Sequence, residues 1–388
     1  MKIVDIRTIP LSYRCDPPYG SAGGMQARRG SLLVEIETDE RVVGVGEAGV
    51  GGGATRAAVE KVLRPMLIGE DPLLIEGLWQ KMFARTRQFG RRGVVMNAIS
   101  GIDIALWDIA GKVAKLPLYR LLGACRDRVE AYASGGFYQE GKSIDDLAGE
   151  AEGYRARGFK GMKMKIGRNP STGSHLRHLV DYAELYEVEP EEDIARVAAV
   201  RRALGSSAKL MVDVNCAWSP SFAIEMGQAL QPYKLYWIEE PVATDDIDGS
   251  ARVAEALTTP IAGYETEIGL YGFRELITRG AVDIIQPDLA WAGGFSECRR
   301  IAALAQAHHL TVAPHSFAGA VLLTASLHFI ASIPNGLVLE FDQNPNGLRD
   351  ELLKEPVRIE TDGTIKLPER PGLGIELDPS AIEHYRAE

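Results

Sequence analysis

The sequence predicts a (β/α)8 barrel of the TIM type, an α/β fold, with a smaller α+β domain at its N-terminal end. Three observations predict it. Asp213, Glu239 and Glu265 recur at intervals of 26 residues, each closing a short apolar run: LMVDVN, LYWIEE and PIAGYE. That interval is one strand–helix unit, and eight such units need about 250 residues. From Val129 onward, strand-like and helical segments alternate, whereas the preceding residues do not follow that rhythm.

Element by element, MKIVDIRTIPL alternates like a strand and lacks the apolar run and cleavage site of a signal peptide. Residues 31–48 read as a hairpin around Thr38-Asp39-Glu40-Arg41. Helical periodicity runs from about Ala54 to Phe83, broken near Pro72, and again over 93–115 with Ile99, Ile102, Leu106 and Ile109 on one stripe. Pro117 and Gly123 bracket a short helix. Eight barrel strands follow: 129–134, 161–167, 210–215, 235–240, 260–265, 282–288, 310–316 and 336–342. The interval between the second and third is longer by a polar, acidic insertion at 168–193, expected at the catalytic face because loops after barrel strands lie there. The chain thus divides into an N-terminal domain (1–128), a barrel (129–345) and a C-terminal segment (346–388) expected to pack back on the N-terminal domain.

A formal net charge of −10 argues against nucleic acid or an acidic membrane surface as partner, while a small anionic substrate stays compatible with locally placed cations. No uninterrupted apolar run approaches a membrane span, so the cytoplasm is the expected location. Cys15, Cys125, Cys216 and Cys298 are scattered and read as reduced thiols.

The polar residue ending each barrel strand points into the mouth of the barrel, so Asp213, Glu239 and Glu265 converge there as a site for a hard divalent cation. Glu240 alternates to the other side and is expected to brace a neighbouring strand. Lys163 and Lys165 share one face of the second strand, so both ammonium groups enter the interior. Their mutual repulsion is expected to leave one neutral enough to act as a base and the other charged to hold an anion. Asp288 and His315 end adjacent strands; a carboxylate beside an imidazole fixes its tautomer and prepares a general base. Glu340 ends the last strand, either as a salt-bridge partner of Lys163 or as a hydrogen-bonding group at a developing oxyanion. Asn215 shares the inward face of Asp213 and can meet a substrate hydroxyl. The glycine run at 49–53 reads as a loop over the site rather than a phosphate cradle. Arg28 and Arg29 read as a solvated surface pair, with a grip on a second substrate carboxylate as the alternative.

These motifs (KMK at 163–165, DVN at 213–215, EEP at 239–241, QPD at 286–288, PH at 314–315, and GIDIALWDIAGK at 101–112) resemble the mandelate racemase subgroup of the enolase superfamily over essentially the whole chain. QPDLAWAGGFSE and LEFDQNPNGLR look like galactarolactone cycloisomerases and neighbouring acid-sugar dehydratases. The resemblance implies an enolase-like modified barrel with a capping domain, and Mg²⁺, with Mn²⁺ as a possible substitute, on Asp213, Glu239 and Glu265. It implies Lys165 as one base and His315, supported by Asp288, as the base on the opposite face. Lys163 and Glu340 would hold the substrate carboxylate and its enediolate form. Homo-oligomerisation is likewise implied. Two features depart from the pattern: the 168–193 insertion, and Tyr264, where many relatives carry glycine and whose bulk is expected to narrow the pocket.

The expected reaction is Mg²⁺-dependent removal of the proton α to a carboxylate, followed by β-elimination: a sugar-acid dehydratase or lactone cycloisomerase. A racemase or epimerase is the alternative within the class. A Schiff-base aldolase using Lys165 and a non-catalytic binding protein are the alternatives outside it.

Overall fold

The computed structural model describes residues 1–49, 52–169 and 188–387. The N-terminal domain is a three-stranded antiparallel sheet, β1 (Ile3–Ser21), β2 (Gly24–Thr38) and β3 (Val43–Ala48), in that order. The expected turn at 38–41 joins β2 to β3. Residues 15–30 continue β1 and β2 into a long hairpin whose tip lies at residues 22–23.

Helices Ile75–Thr86 and Val94–Ala114 pack with this sheet around Ile6, Val34, Ile36, Trp79, Met82, Ile99, Ile102 and Leu106, all buried. Two glycines on β3 set the depth of that packing. A Cβ on Gly46 would lie 2.0 Å from the Gly101 carbonyl oxygen, and one on Gly44 2.2 Å from that of Ala105. Val94–Ala114 is long and apolar enough, by length and composition, to cross a membrane, but Asn97, Asp103 and Asp108 interrupt its apolar run and 83% of its most apolar window is buried inside the protein.

The barrel strands are β4 (Arg128–Ser134), β5 (Gly161–Lys165), β6 (Lys209–Asp213), β7 (Trp237–Glu239), β8 (Ile261–Gly263), β9 (Ile284–Ile285), β10 (Thr311–Val312) and β11 (Leu339–Asp342). Each pairs in parallel with the next from β4 to β10, and β11 pairs with β4. The remaining gap is bridged between Val312 and Gly336. Several strands are shorter than the sequence suggests because Pro241, Pro287 and Pro314 lack the N–H that would extend a ladder. Tyr132, Met211, Trp237, Ala262, Ile284, Ala313 and Val338 fill the interior below the mouth.

β12 (Thr364–Lys366) adds antiparallel to the start of β4. Elsewhere the C-terminal segment reaches the N-terminal residues: Leu373 N donates to Asp108 Oδ1 at 2.8 Å, and Ala387 N to the Pro10 carbonyl at 2.9 Å. The 168–193 insertion falls largely outside the described residues; its end enters helix Pro190–Leu204. Residues 50–51 of the glycine run also lie outside them. All four cysteines are free.

Candidate active site

The strand register places the chemistry. Lys165 stands beside Asp213 across β5 and β6, and Asp213 beside Glu239 across β6 and β7. Glu265 lies just beyond the end of β8. One oxygen from each of Asp213, Glu239 and Glu265 falls within 4.8 Å of the others. An all-carboxylate set of this kind suits a hard, oxygen-ligated divalent cation.

Each carboxylate is held by its own neighbours. Asp213 Oδ1 accepts from Asn215 N at 2.9 Å. Glu239 Oε2 accepts from Trp237 Nε1 at 2.9 Å and Gln286 Nε2 at 2.8 Å. Glu265 N donates to Glu240 Oε1 at 3.0 Å, so Glu240 meets the backbone of the next strand unit. Burial pushes Glu239 up to about 7 against the pull of Lys163, and pushes Glu265 up against that of His315. Asp213 moves the other way: burial would raise it, but Lys165 and Lys163 together hold it well below the usual carboxylate range.

The lysines are paired. Lys165 Nζ bonds Asp213 Oδ2; Lys163 Nζ pairs with Glu239 and lies 2.8 Å from Glu340 Oε1 and 3.5 Å from Asp213 Oδ2. The expectation that repulsion makes one lysine neutral is not met in this arrangement. Burial and Lys163 both act to lower Lys165, yet Asp213 and the other carboxylates outweigh them, and both ammonium groups are raised.

Opposite them, His315 Nδ1 lies 2.6 Å from Asp288 Oδ2, while Asp288 Oδ1 accepts from Ala290 N at 2.6 Å. His315 Nε2 thereby faces the carboxylates, 3.1 Å from Glu265 Oε2 and 4.0 Å from Glu340 Oε2. Burial alone would lower the imidazole, but Glu265, Glu340 and Asp288 push it up to about 10. Glu340 Oε2 accepts from Ser316 N at 3.0 Å. Burial would raise its carboxyl, but Lys163 and His315 hold it down to about 2. Glu340 thus makes the Lys163 salt bridge and also lies close to the imidazole.

A cavity of about 690 Å³ opens above these groups, lined by Lys165, Asn215, Glu265 and His315. The tip of the β1–β2 hairpin, with Ser21, Met25 and Gln26, forms part of its wall. Lys163, Asp213, Glu239, Asp288 and Glu340 lie beneath, almost wholly buried. The side-chain oxygen of Asn215 is buried without a partner, which leaves it available to a ligand hydroxyl.

Two expectations need correction. Tyr264 does not narrow the pocket: it lies beyond the end of β8, where strand alternation no longer holds, and its buried ring turns away from the cavity so that its hydroxyl donates to Ser250 Oγ at 2.9 Å. Arg29 is no surface residue: it is buried, with NH1 2.7 Å from Tyr19 Oη and 3.0 Å from Asp342 Oδ2, and its guanidinium 3.7 Å over the Phe317 ring. Cys216 stays outside the carboxylate group beside Glu240, its thiol raised by burial.

The sequence reading assigned no role to Phe137 and Phe317, which stack at 5.5 Å and line the cavity. It likewise missed the Gln286 and Trp237 bonds to Glu239. The signal available for Phe137 and Phe317 was their place just past barrel strands; for Gln286 it was the QPD motif itself.

An eight-stranded parallel barrel that gathers three carboxylates between a lysine pair and an aspartate–histidine pair, under an antiparallel cap, defines an enolase-type architecture. Residues 4–123 match the mandelate racemase / muconate lactonizing enzyme N-terminal domain, and residues 146–381 the enolase C-terminal domain-like family. The chain belongs to the mandelate racemase / muconate lactonizing enzyme family of the enolase superfamily. It is 39% identical over 399 residues to an arabinonate dehydratase of Saccharolobus solfataricus, covering 99% of each chain. It is 38% identical over 396 residues to a D-galactarolactone cycloisomerase of Agrobacterium fabrum, covering 100% of this chain and 99% of the other. Among solved structures, a racemase from Streptomyces coelicolor with bound magnesium superposes with a TM-score of 0.88 at 32% identity, covering 99% of this chain and 100% of that one.

Proposed function

We propose that this protein is a Mg²⁺-dependent sugar-acid dehydratase or sugar-acid lactone cycloisomerase. The observation that carries the reading is the placement of two proton-transfer groups around one carboxylate trio. Lys165 Nζ bonds Asp213, while His315 Nε2 lies 3.1 Å from Glu265. The names of the dehydratase and cycloisomerase relatives support the same class.

Asp213, Glu239 and Glu265 would hold the cation, and their all-oxygen donor set fits Mg²⁺, with Mn²⁺ as a substitute. When bound, Mg²⁺ supplies Lewis acidity that offsets the second negative charge appearing on the substrate carboxylate. Lys163 adds a fixed positive charge on that side, and Glu340 orients it. One of the two groups, Lys165 or His315, takes the α-proton in its neutral form, which the cation would favour by offsetting the carboxylate charge that otherwise raises both, and the C–H electron pair moves into the carboxylate as an enediolate. That pair then returns to form the C–C double bond as the β-oxygen leaves. A β-hydroxyl leaves as water, with a proton from an acid group of the site, and gives a 2-keto acid after tautomerisation; a lactone ring oxygen on the β-carbon leaves, by cleavage of its bond to that carbon, as the carboxylate of the opened chain, and needs no proton. Asp288 keeps Nδ1 of His315 engaged, so that Nε2 is the atom that exchanges protons. Asn215 Oδ1 meets a substrate hydroxyl. A homo-oligomer acting in the cytoplasm belongs to the same reading.

The test is incubation of purified protein with Mg²⁺ and a panel of sugar acids and lactones in D₂O. α-Deuterium incorporation with 2-keto acid or ring-opened product is expected. Inverted configuration without elimination would select a racemase instead, and borohydride trapping of Lys165 an aldolase. Absence of exchange and product across the panel would overturn the proposal.

A further inference from the structure

The strands bearing Asp288 and His315 are each followed by a helix that lacks a side-chain cap of its own. These helices, Gly294–Ala307 and Ala320–Ser332, have Gly293 and Gly319 at their N-caps. Both caps come from the N-terminal domain. Glu47, at the end of β3 and fully buried, accepts through Oε1 from Gly319 N at 2.8 Å and Ser31 Oγ at 2.7 Å, and through Oε2 from Leu322 N at 2.8 Å. Asp103, on helix Val94–Ala114 and also fully buried, accepts from Ser296 Oγ at 2.6 Å and Ser296 N at 3.0 Å.

The glycines complete the fit. A Cβ on Gly319 would lie 2.7 Å from Glu47 Oε1, and one on Gly294 2.3 Å from Asp103 Oδ2. Burying a carboxylate is costly, and hydrogen bonds at the positive end of a helix offset that cost in part: burial still pushes Glu47 up, and Asp103 up to about 7. An apolar contact would hold two domains together as well; a buried carboxylate also fixes distance and direction. The loop after His315 is pinned at both ends, Ser316 N by Glu340 and Gly319 N by Glu47, with Phe317 between them facing the cavity. The segment after β5, which bears the lysines, has braces from within the barrel, Gly167 N donating to Asp193 Oδ2 at 2.9 Å and Arg196 NH2 to the Lys165 carbonyl at 3.3 Å; the N-terminal hairpin also reaches it, through Arg168 Nε to the Ser21 carbonyl at 2.8 Å, but Glu47 and Asp103 do not.

We propose that Glu47 is a positioning residue for His315, with Asp103 serving the Asp288 strand in the same way. The N-terminal domain therefore sets the imidazole side of the site as well as roofing the cavity. The functional half of this inference rests on the proposed two-base reaction; the structural half does not.

Glu47→Gln keeps the volume but turns an amide N–H toward backbone donors. In metal-free protein, hydrogen–deuterium exchange of peptides spanning 315–323 should rise about 10- to 100-fold, the loss expected for a charged hydrogen bond, while peptides spanning 161–167 stay unchanged. In Mg²⁺-loaded protein, kcat should fall by a similar factor at unchanged KM. α-Proton exchange into D₂O should slow for the sugar-acid epimer served by His315 and not for the one served by Lys165. Ser31→Ala, which removes one of the three bonds, should shift the same readouts in the same direction by less, and keeps the test open if Glu47→Gln fails to fold. Equal slowing on both faces, or equal change in both peptides, would overturn the proposal. If the wild type exchanges no sugar acid, the proposed function falls and the peptide comparison alone decides the placement of the His315 loop.

Discussion

Lowering the pH should weaken this protein through one histidine far from the carboxylates. His328 is fully buried on helix Ala320–Ser332, where Nδ1 accepts from Tyr119 N at 3.0 Å and Nε2 meets the Leu373 carbonyl at 3.0 Å. The ring is thus neutral, with its proton on Nε2, and a second proton on Nδ1 would point at an N–H donor. Burial depresses its pKa from 6.5 to about 4. Because the folded value lies below the unfolded one, the contribution is intact above about pH 6.5 and is lost as pH falls toward 4, where only the unfolded chain takes up the proton. That difference amounts to about 3 kcal/mol in all, of which about 2 kcal/mol is lost between pH 7 and pH 5. His328→Leu removes the effect and leaves Tyr119 N and the Leu373 carbonyl without partners, at a cost of about 2–4 kcal/mol at pH 7. Urea denaturation of both proteins at pH 7 and pH 5 isolates His328, since all other titrating groups cancel in the difference. The gap between wild type and variant should narrow by about 2 kcal/mol at pH 5; a constant or widening gap would refute the reasoning.

Three further outcomes follow from the same geometry. Asp213→Asn should weaken divalent-ion binding, measured by calorimetry, by more than the roughly 10- to 100-fold typical of losing an outer-shell partner. His315→Asn should cut kcat/KM measured at saturating divalent ion by about 10²- to 10⁴-fold, while its lost contact with Glu265 changes ion affinity by no more than the roughly 10- to 100-fold of an outer-shell partner, as steady-state kinetics and calorimetry on one sample would check. Arg29→Leu should destabilise the fold by about 3 kcal/mol, the low end for breaking a buried pair, because Asn344 still bonds Asp342; restoration of part of the urea midpoint in Arg29→Leu/Asp342→Leu would identify the orphaned carboxylate as the cause.

Much of this site is legible along the chain because barrel geometry converts local rules into spatial ones. A strand-end position recurs once per strand–helix unit, so an even spacing of acids becomes convergence at one mouth. Period two turns both lysines of KMK inward, and matched offsets past β9 and β10 bring Asp288 to His315. The rule stops at the end of β8: Ala262 faces the interior, so alternation alone would send Tyr264 inward and Glu265 outward, the reverse of what the chain does. What sequence could not supply is long-range. Arg29 looks like a surface arginine until β11 places Asp342 beside it, and Glu47 looks like a strand residue until the barrel helix arrives with an uncapped end. The charge on Lys165 depends on its contact with Asp213, which no spacing encodes.

The central claim is that a divalent cation on Asp213, Glu239 and Glu265 enables proton removal by the groups flanking it. The most direct measurement follows α-proton exchange of a sugar-acid or lactone substrate by NMR in D₂O while Mg²⁺ is titrated into chelator-stripped protein. The account predicts no exchange without the ion, a rise that saturates as one site fills, and loss when chelator is restored. Exchange or turnover that persists in excess chelator would contradict it.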